Sequence, residues 1–284
     1  MNASASSMSK LSSPWLYFIF TVGWSWLCWI PAALLGISIS TAPGLVFGLL
    51  GVIGPMVGGI AFTYLTGDSE RRKDYWRRII DVKRISARWW LVIFFFVPVL
   101  MSLAAGMDLL LGGSVEPFKK AIAPFLASPL SIIPTALFVM FIGPFPEELG
   151  WRGYVLDRLQ EKMNALASSL ALGAVWAIWH FPLFFIKDTY QYNQGAWSEW
   201  FWLFFLGIVP LSVVFAWIFN NTGRSTLAII LFHFNVVFTD ELLNLTANTN
   251  RISTGLWILI AVVVTIVRGK GQLSRKQSPK SAPQ

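Results

Sequence analysis

Long apolar stretches separated by short polar ones dominate the chain. Stretches that approach the ~20 residues needed to cross a bilayer number eight, at about 14–36, 43–66, 88–112, 129–149, 165–186, 198–220, 224–243 and 253–268. Helices are the expected form, because a helix satisfies its own backbone donors and acceptors where water is absent. The pattern therefore predicts an all-α fold, a polytopic membrane helix bundle of about eight transmembrane helices. The first span is too long, and followed by too many others, to be a cleaved signal peptide, so it reads as an anchor. The eighth is short for a crossing. Between the third and fourth spans, residues 113–128 set Lys119 and Lys120 beside Phe118, Ile122 and Phe125. That is the composition of a short amphipathic helix along the outer interface.

Composition agrees. Only 13% of residues are charged, where a soluble domain carries about 25%. A net charge of +8 could suggest nucleic acid, but the basic residues collect between spans, as cytoplasmic loops require, and no nucleic-acid partner is expected. One loop holds eight of them: Arg71, Arg72, Lys73, Arg77, Arg78, Lys83, Arg84 and Arg88. Setting that loop in the cytoplasm puts both termini there too. Eighteen Lys and Arg then fall on the cytoplasmic side, Arg152, Arg158 and Lys162 among them, against Lys119, Lys120, Lys187 and Arg251 outside. An integral protein of the cell membrane is the expectation, with the bilayer itself as one partner. The single cysteine, Cys28, rules out an internal disulfide framework. The organisation follows as a polar tail (1–13), transmembrane helices with the basic loop (14–128), a motif-bearing core (129–243), a last helix (244–268) and a basic, Ser/Pro/Gln-rich tail (269–284) read as disordered.

The chemistry is concentrated in a few residues. Glu147 and Glu148 are adjacent, at the inner end of the fourth span, preceded by Pro144 and Pro146. A helix starting near Pro146 puts both in its first turn, where the helix dipole favours negative charge. Adjacent helical positions diverge by about 100°, so the two cannot face one target equally. Arg152 lies four residues after Glu148, the spacing of a same-face ion pair. Arg152 would thus neutralise Glu148 and leave Glu147 facing a cavity, as a general base for water requires. A solvated Glu-Glu-Arg cluster at the membrane surface is the bland alternative. The only histidines, His180 and His233, both lie within spans; Trp176 is one turn before His180. A buried imidazole can donate, accept or ligate a metal. By these span limits His180 sits nearer the outer end and the glutamates nearer the inner end, a separation that irregular helices around the prolines would have to close.

Glu147-Glu148-x-x-x-Arg152, then Trp176-x-x-x-His180, then His233 on a later span, resembles the CPBP intramembrane proteases, the CAAX-processing and bacteriocin-processing group also called the Abi family. The resemblance covers about residues 129–243. Trp176 stands where the family usually has Phe. The family's last His is followed four residues later by Asn or a similar polar residue, and here that position is Val237. Asn235 lies about 200° around a regular helix from His233; Asp240 and Glu241, two turns on, share its face at a greater distance. The resemblance implies an intramembrane endopeptidase acting on a peptide or lipidated protein substrate. Glu147 and His180 would activate water, His233 would stabilise the oxyanion, and Glu148 and Arg152 would hold the frame, with no cofactor.

Three other readings stay open. Glu147, His180 and His233 could instead form a zinc site with one position left for water, although the His-Glu-x-x-His helix is absent. A non-catalytic immunity or scaffold protein of the same fold would explain Val237. A transporter using Glu147 as a proton relay is a third, without the paired short spans of an inverted repeat.

Overall fold

The computed structural model describes residues 12–243 and 246–274. Most of the N-terminal polar tail, and the basic tail beyond 274 with Arg275, Lys276 and Lys280, lie outside the described residues. Among the described residues every regular element is helical, and eight helices are long and apolar enough to cross a membrane.

The first crossing is α1 (Pro14–Leu34). Two collinear helices make the second, α2 (Ala42–Val52) and α3 (Gly54–Thr66). The basic segment is not a loop but a helix, α4 (Ser69–Ile80), capped by Asp68, whose side chain accepts from the Arg71 amide at 2.9 Å. The third crossing is α5 (Ala87–Leu110), and the expected amphipathic element follows as α6 (Glu116–Ala127). The fourth combines α7 (Ile132–Ile142), α8 (Pro144–Gly150), a π-helical turn (Trp151–Val155) and α9 (Leu156–Gln160). Next come α10 (Ala165–Trp179), a 3-10 turn over Phe181–Phe185, the short α11 (Tyr190–Gln194), α12 (Glu199–Asn221), α13 (Thr226–Leu243) and α14 (Ala247–Arg268).

Two span limits are corrected. The fourth crossing ends at Gln160, not 149, because its charges are answered inside the protein. Arg152 is fully buried against Glu148, and it therefore leaves the tally of cytoplasmic loop charges. Asp157 is shared by Arg78, at 2.6 Å, and Arg224. The last crossing starts at Ala247, not 253. Its polar first turns are tolerated because buried Asp108 of α5 accepts from the hydroxyls of Thr246 (2.8 Å) and Thr249 (2.7 Å). Desolvated polar groups are tolerable where each finds a partner.

Close contact at one crossing point fixes α8. A Cβ on Gly59 of α3 would sit 2.6 Å from the Leu149 carbonyl oxygen, and one on Gly150 would sit 2.3 Å from that of Pro55. Small residues let helix backbones approach where lipid offers no hydrophobic drive. Two tyrosines secure the contact. Tyr17 donates to the Pro55 carbonyl and Tyr75 of α4 to that of Leu149, each at 3.1 Å. Burial pushes the Tyr75 phenol up, so it stays a donor. The basic helix is thus tied to the backbone that carries the two glutamates. Beside it Trp179 contacts Trp29 and Trp151, with ring centres 4.7 and 5.9 Å apart.

Candidate active site

Gly143, with φ −131° and ψ −80°, interrupts the fourth crossing. The chain restarts at Pro144, two residues earlier than Pro146, with proline at a position that needs no backbone donor. Glu147 and Glu148 then fall in the middle of a crossing rather than at its end. Counted from the turn at 161–164, Glu147 is about as far along α8–α9 as His180 is along α10, some 20 Å at 1.5 Å per residue. The separation in depth expected between them does not exist. It arose from ending the fourth span too early.

The two carboxylates have separate duties. Glu148 is fully buried and accepts from Arg152 Nη1 at 2.8 and 3.1 Å. It also faces His233 Nδ1 at 2.9 Å. Arg152 lies between the rings of Trp176 (4.7 Å) and Phe215 (4.5 Å) and reaches Ser212 Oγ at 3.4 Å. Planar, weakly hydrated guanidinium suits such stacking. Glu147 is left out of this ion pair. Its Oε2 accepts from the Trp176 indole N–H at 2.6 Å, and it lines a cavity of about 390 Å³ together with Trp176, His180 and His233.

Hydrogen-bond partners assign the imidazole tautomers. His180, at the C-cap of α10, has Nδ1 2.8 Å from the Trp176 carbonyl oxygen. A carbonyl only accepts, so Nδ1 carries the hydrogen and neutral His180 presents a lone pair on Nε2. By the same argument His233 donates from Nδ1 to the Glu148 carboxylate. Its ring stands edge-on to Trp176 and Phe215, at 5.3 and 5.4 Å between centres.

The five candidate residues thus meet in one buried set. Trp176 does more than its motif position suggested: indole to Glu147, carbonyl to His180, ring face to Arg152. Ser212 and Phe215 were not anticipated, since α12 between its polar ends is apolar on every face, Ser212 apart, and gives no signal of which face meets Arg152. Asn235 turns away, donating to the Leu231 carbonyl at 2.9 Å, while Val237 lines the cavity. Asp240 and Glu241 line it too, further out, where the Tyr190 hydroxyl donates to Asp240 at 3.2 Å. For the zinc alternative, Glu147, His180 and His233 share the cavity, but among the described residues no three His, Cys, Asp or Glu side chains cluster as metal ligands.

A model of the type II CAAX prenyl endopeptidase Rce1-like family matches residues 129–239. Over 257 residues the chain is 31% identical to CAAX prenyl protease 2 of Methanococcus maripaludis, an alignment covering 89% of this chain and 93% of that protein.

Proposed function

The chain belongs to the Rce1-like family of type II CAAX prenyl endopeptidases and is a CPBP-type intramembrane endopeptidase, and from that premise we propose that Glu147 and His180 activate the water that cleaves its substrate. The observation carrying this reading is the division between the carboxylates. Glu148 is engaged by Arg152 and His233, whereas Glu147 and His180 share a cavity.

In this mechanism a water held between Glu147 and His180 Nε2 gives up a proton to the Glu147 carboxylate as its oxygen attacks the scissile carbonyl carbon. The proton then passes to the amide nitrogen as the C–N bond breaks. His233, its Nδ1 oriented by Glu148, turns Nε2 toward the cavity to support the oxyanion. No metal enters these steps. Loss of cleavage with a chelator, restored by added zinc, would overturn the metal-free reading.

The substrate proposed is a polypeptide held in the membrane by a lipid or a transmembrane segment. Support comes from the depth of the set and from the relative, whose name makes it a prenyl protease. The test compares membrane proteins from cells expressing wild type or His180→Ala, with new termini mapped by mass spectrometry. Termini found only with wild type are expected; identical maps from equally expressed proteins would remove His180 from the chemistry.

Val237 stands where a polar neighbour would steady an oxyanion beside His233. Val237→Asn is expected to raise turnover by about tenfold, below the 10²–10³ attributed to a full oxyanion donor. An unchanged rate would mean that His233 acts without that partner.

A further inference from the structure

Two sides of the basic helix α4 face different surroundings. At 100° per residue, Arg72, Trp76, Ile80, Lys73 and Arg77 fall within about 140° of arc. Ile80 is 73% exposed and Trp76 40%, and Lys73 and Arg77 are exposed beside them. Lys73 is answered at 2.9 Å by Glu70, which is itself open to solvent. Among the described residues no carboxylate lies within ion-pairing distance of Arg72 or Arg77. Lys73 and Arg77, four residues apart, repel each other.

This side of the helix lies at the membrane surface. Only Gly67 and Asp68 separate α4 from the end of α3. Arg72 donates to the Tyr64 carbonyl at 2.7 Å and its guanidinium lies over the Tyr64 ring at 5.2 Å. The Trp76 indole donates to the Tyr64 hydroxyl at 3.1 Å. The helix is thereby held level with the last turns of a membrane crossing. Tryptophan and isoleucine flanked by arginine and lysine at that level make an interfacial helix, with its apolar side chains in the acyl boundary and its cations among the headgroups.

The opposite side of α4 reaches the site. Tyr75 and Arg78 are 1% and 5% exposed. Tyr75 donates to the Leu149 carbonyl, one residue beyond Glu148. Arg78 donates to the Gly153 carbonyl at 2.9 Å and to Asp157 at 2.6 Å. Gly153 belongs to the π-helical turn that carries Arg152, the partner of Glu148. Such turns depart from the regular ladder and are frequent at functional sites. Two side chains of α4 thus grip the backbone on either side of Arg152.

We propose that the outward side of α4 docks anionic lipid headgroups of the surrounding bilayer, and that this docking steadies the backbone of α8 and the π turn and raises the rate of cleavage. Headgroups distinguish two states of the protein, because only an ordered α4 gathers Arg72, Lys73 and Arg77 on one side. They therefore favour the state in which Tyr75 and Arg78 reach their carbonyls. Docking stands independently of the function proposed above; its effect on cleavage rests on that reading.

For the experiment the full protein is reconstituted in phosphatidylcholine vesicles, without or with about one third phosphatidylglycerol. Thermal unfolding and cleavage of a membrane-tethered reporter peptide are both measured. Phosphatidylglycerol is expected to raise the melting temperature by about 5 °C, an increment that shrinks in about 1 M salt. Lys73→Gln/Arg77→Gln should lose most of it. Lys119→Gln/Lys120→Gln, the same loss of charge on α6, should keep it. Cleavage by the wild type should rise about fivefold with phosphatidylglycerol. Tyr75→Phe, which keeps the charge but not the bond to Leu149, should retain the thermal shift and lose the activation. Equal shifts in wild type and Lys73→Gln/Arg77→Gln would overturn docking at α4. A shift reproduced by soluble glycerophosphoglycerol would overturn the bilayer as the occupant. Full activation in Tyr75→Phe would overturn the coupling. Thermal shifts as expected with no cleavage in any vesicle would sustain the docking surface and defeat the protease reading, and the coupling with it.

Discussion

Glu147→Gln is expected to lower cleavage by about 10²–10⁴-fold, the range that positioned general bases contribute, while leaving the protein folded. The substitution is nearly isosteric. The amide oxygen of glutamine can still accept from the Trp176 indole, the 2.6 Å contact that orients the side chain. Only the capacity to take a proton from water is removed. Reporter cleavage in membranes, read beside thermal unfolding in detergent, separates the two effects. Near-normal turnover would displace Glu147 from the mechanism. A lowered melting temperature would show that the carboxylate was structural.

Arg152→Ala is expected to act in the opposite proportion, destabilising the fold first. The substitution strips the buried Glu148 carboxylate of the Nη1 donor that both its oxygens accept from and opens a gap between the Trp176 and Phe215 rings. Breaking a buried ion pair from one side costs about 3–5 kcal/mol. The melting temperature and the yield of folded protein should both fall, and cleavage should fall with them, because His233 is oriented by the same carboxylate. Arg152→Lys should restore little, since an ammonium supplies neither the flat face held between Trp176 and Phe215 nor the second nitrogen that reaches Ser212. Full stability in Arg152→Ala would mean that Glu148 is satisfied without it.

Hydropathy made the eight crossings legible, and motif spacing made Glu147, Glu148, Arg152, His180 and His233 candidates. What misled was the assumption that charge marks a membrane boundary. Arg152 and Asp157 look like the end of a span, yet each is neutralised within the protein. The pairing of Glu148 with Arg152 was visible as an i, i+4 spacing, but its burial was not, because burial depends on Ser212 and Phe215 of another helix. The polar opening of α14 failed in the same way. Asn248, Thr249 and Asn250 read as a loop until Asp108 supplies the acceptor that two threonine hydroxyls need. Contacts between helices distant in sequence leave no periodic trace in either one. The indole of Trp176 is the clearest case, since a tryptophan in an apolar helix announces a donor but not its acceptor.

That one tryptophan has a mechanical consequence. Glu147 and His180 belong to different helices, and their alignment would ordinarily accumulate the positional error of both. Here the carboxylate hangs from the indole of Trp176 and the imidazole from the carbonyl of the same residue. Both are therefore referenced to a single datum. Drift of α8 against α10 strains one hydrogen bond before it alters the gap between carboxylate and imidazole, and the tolerance of that gap is set by the rigidity of one residue.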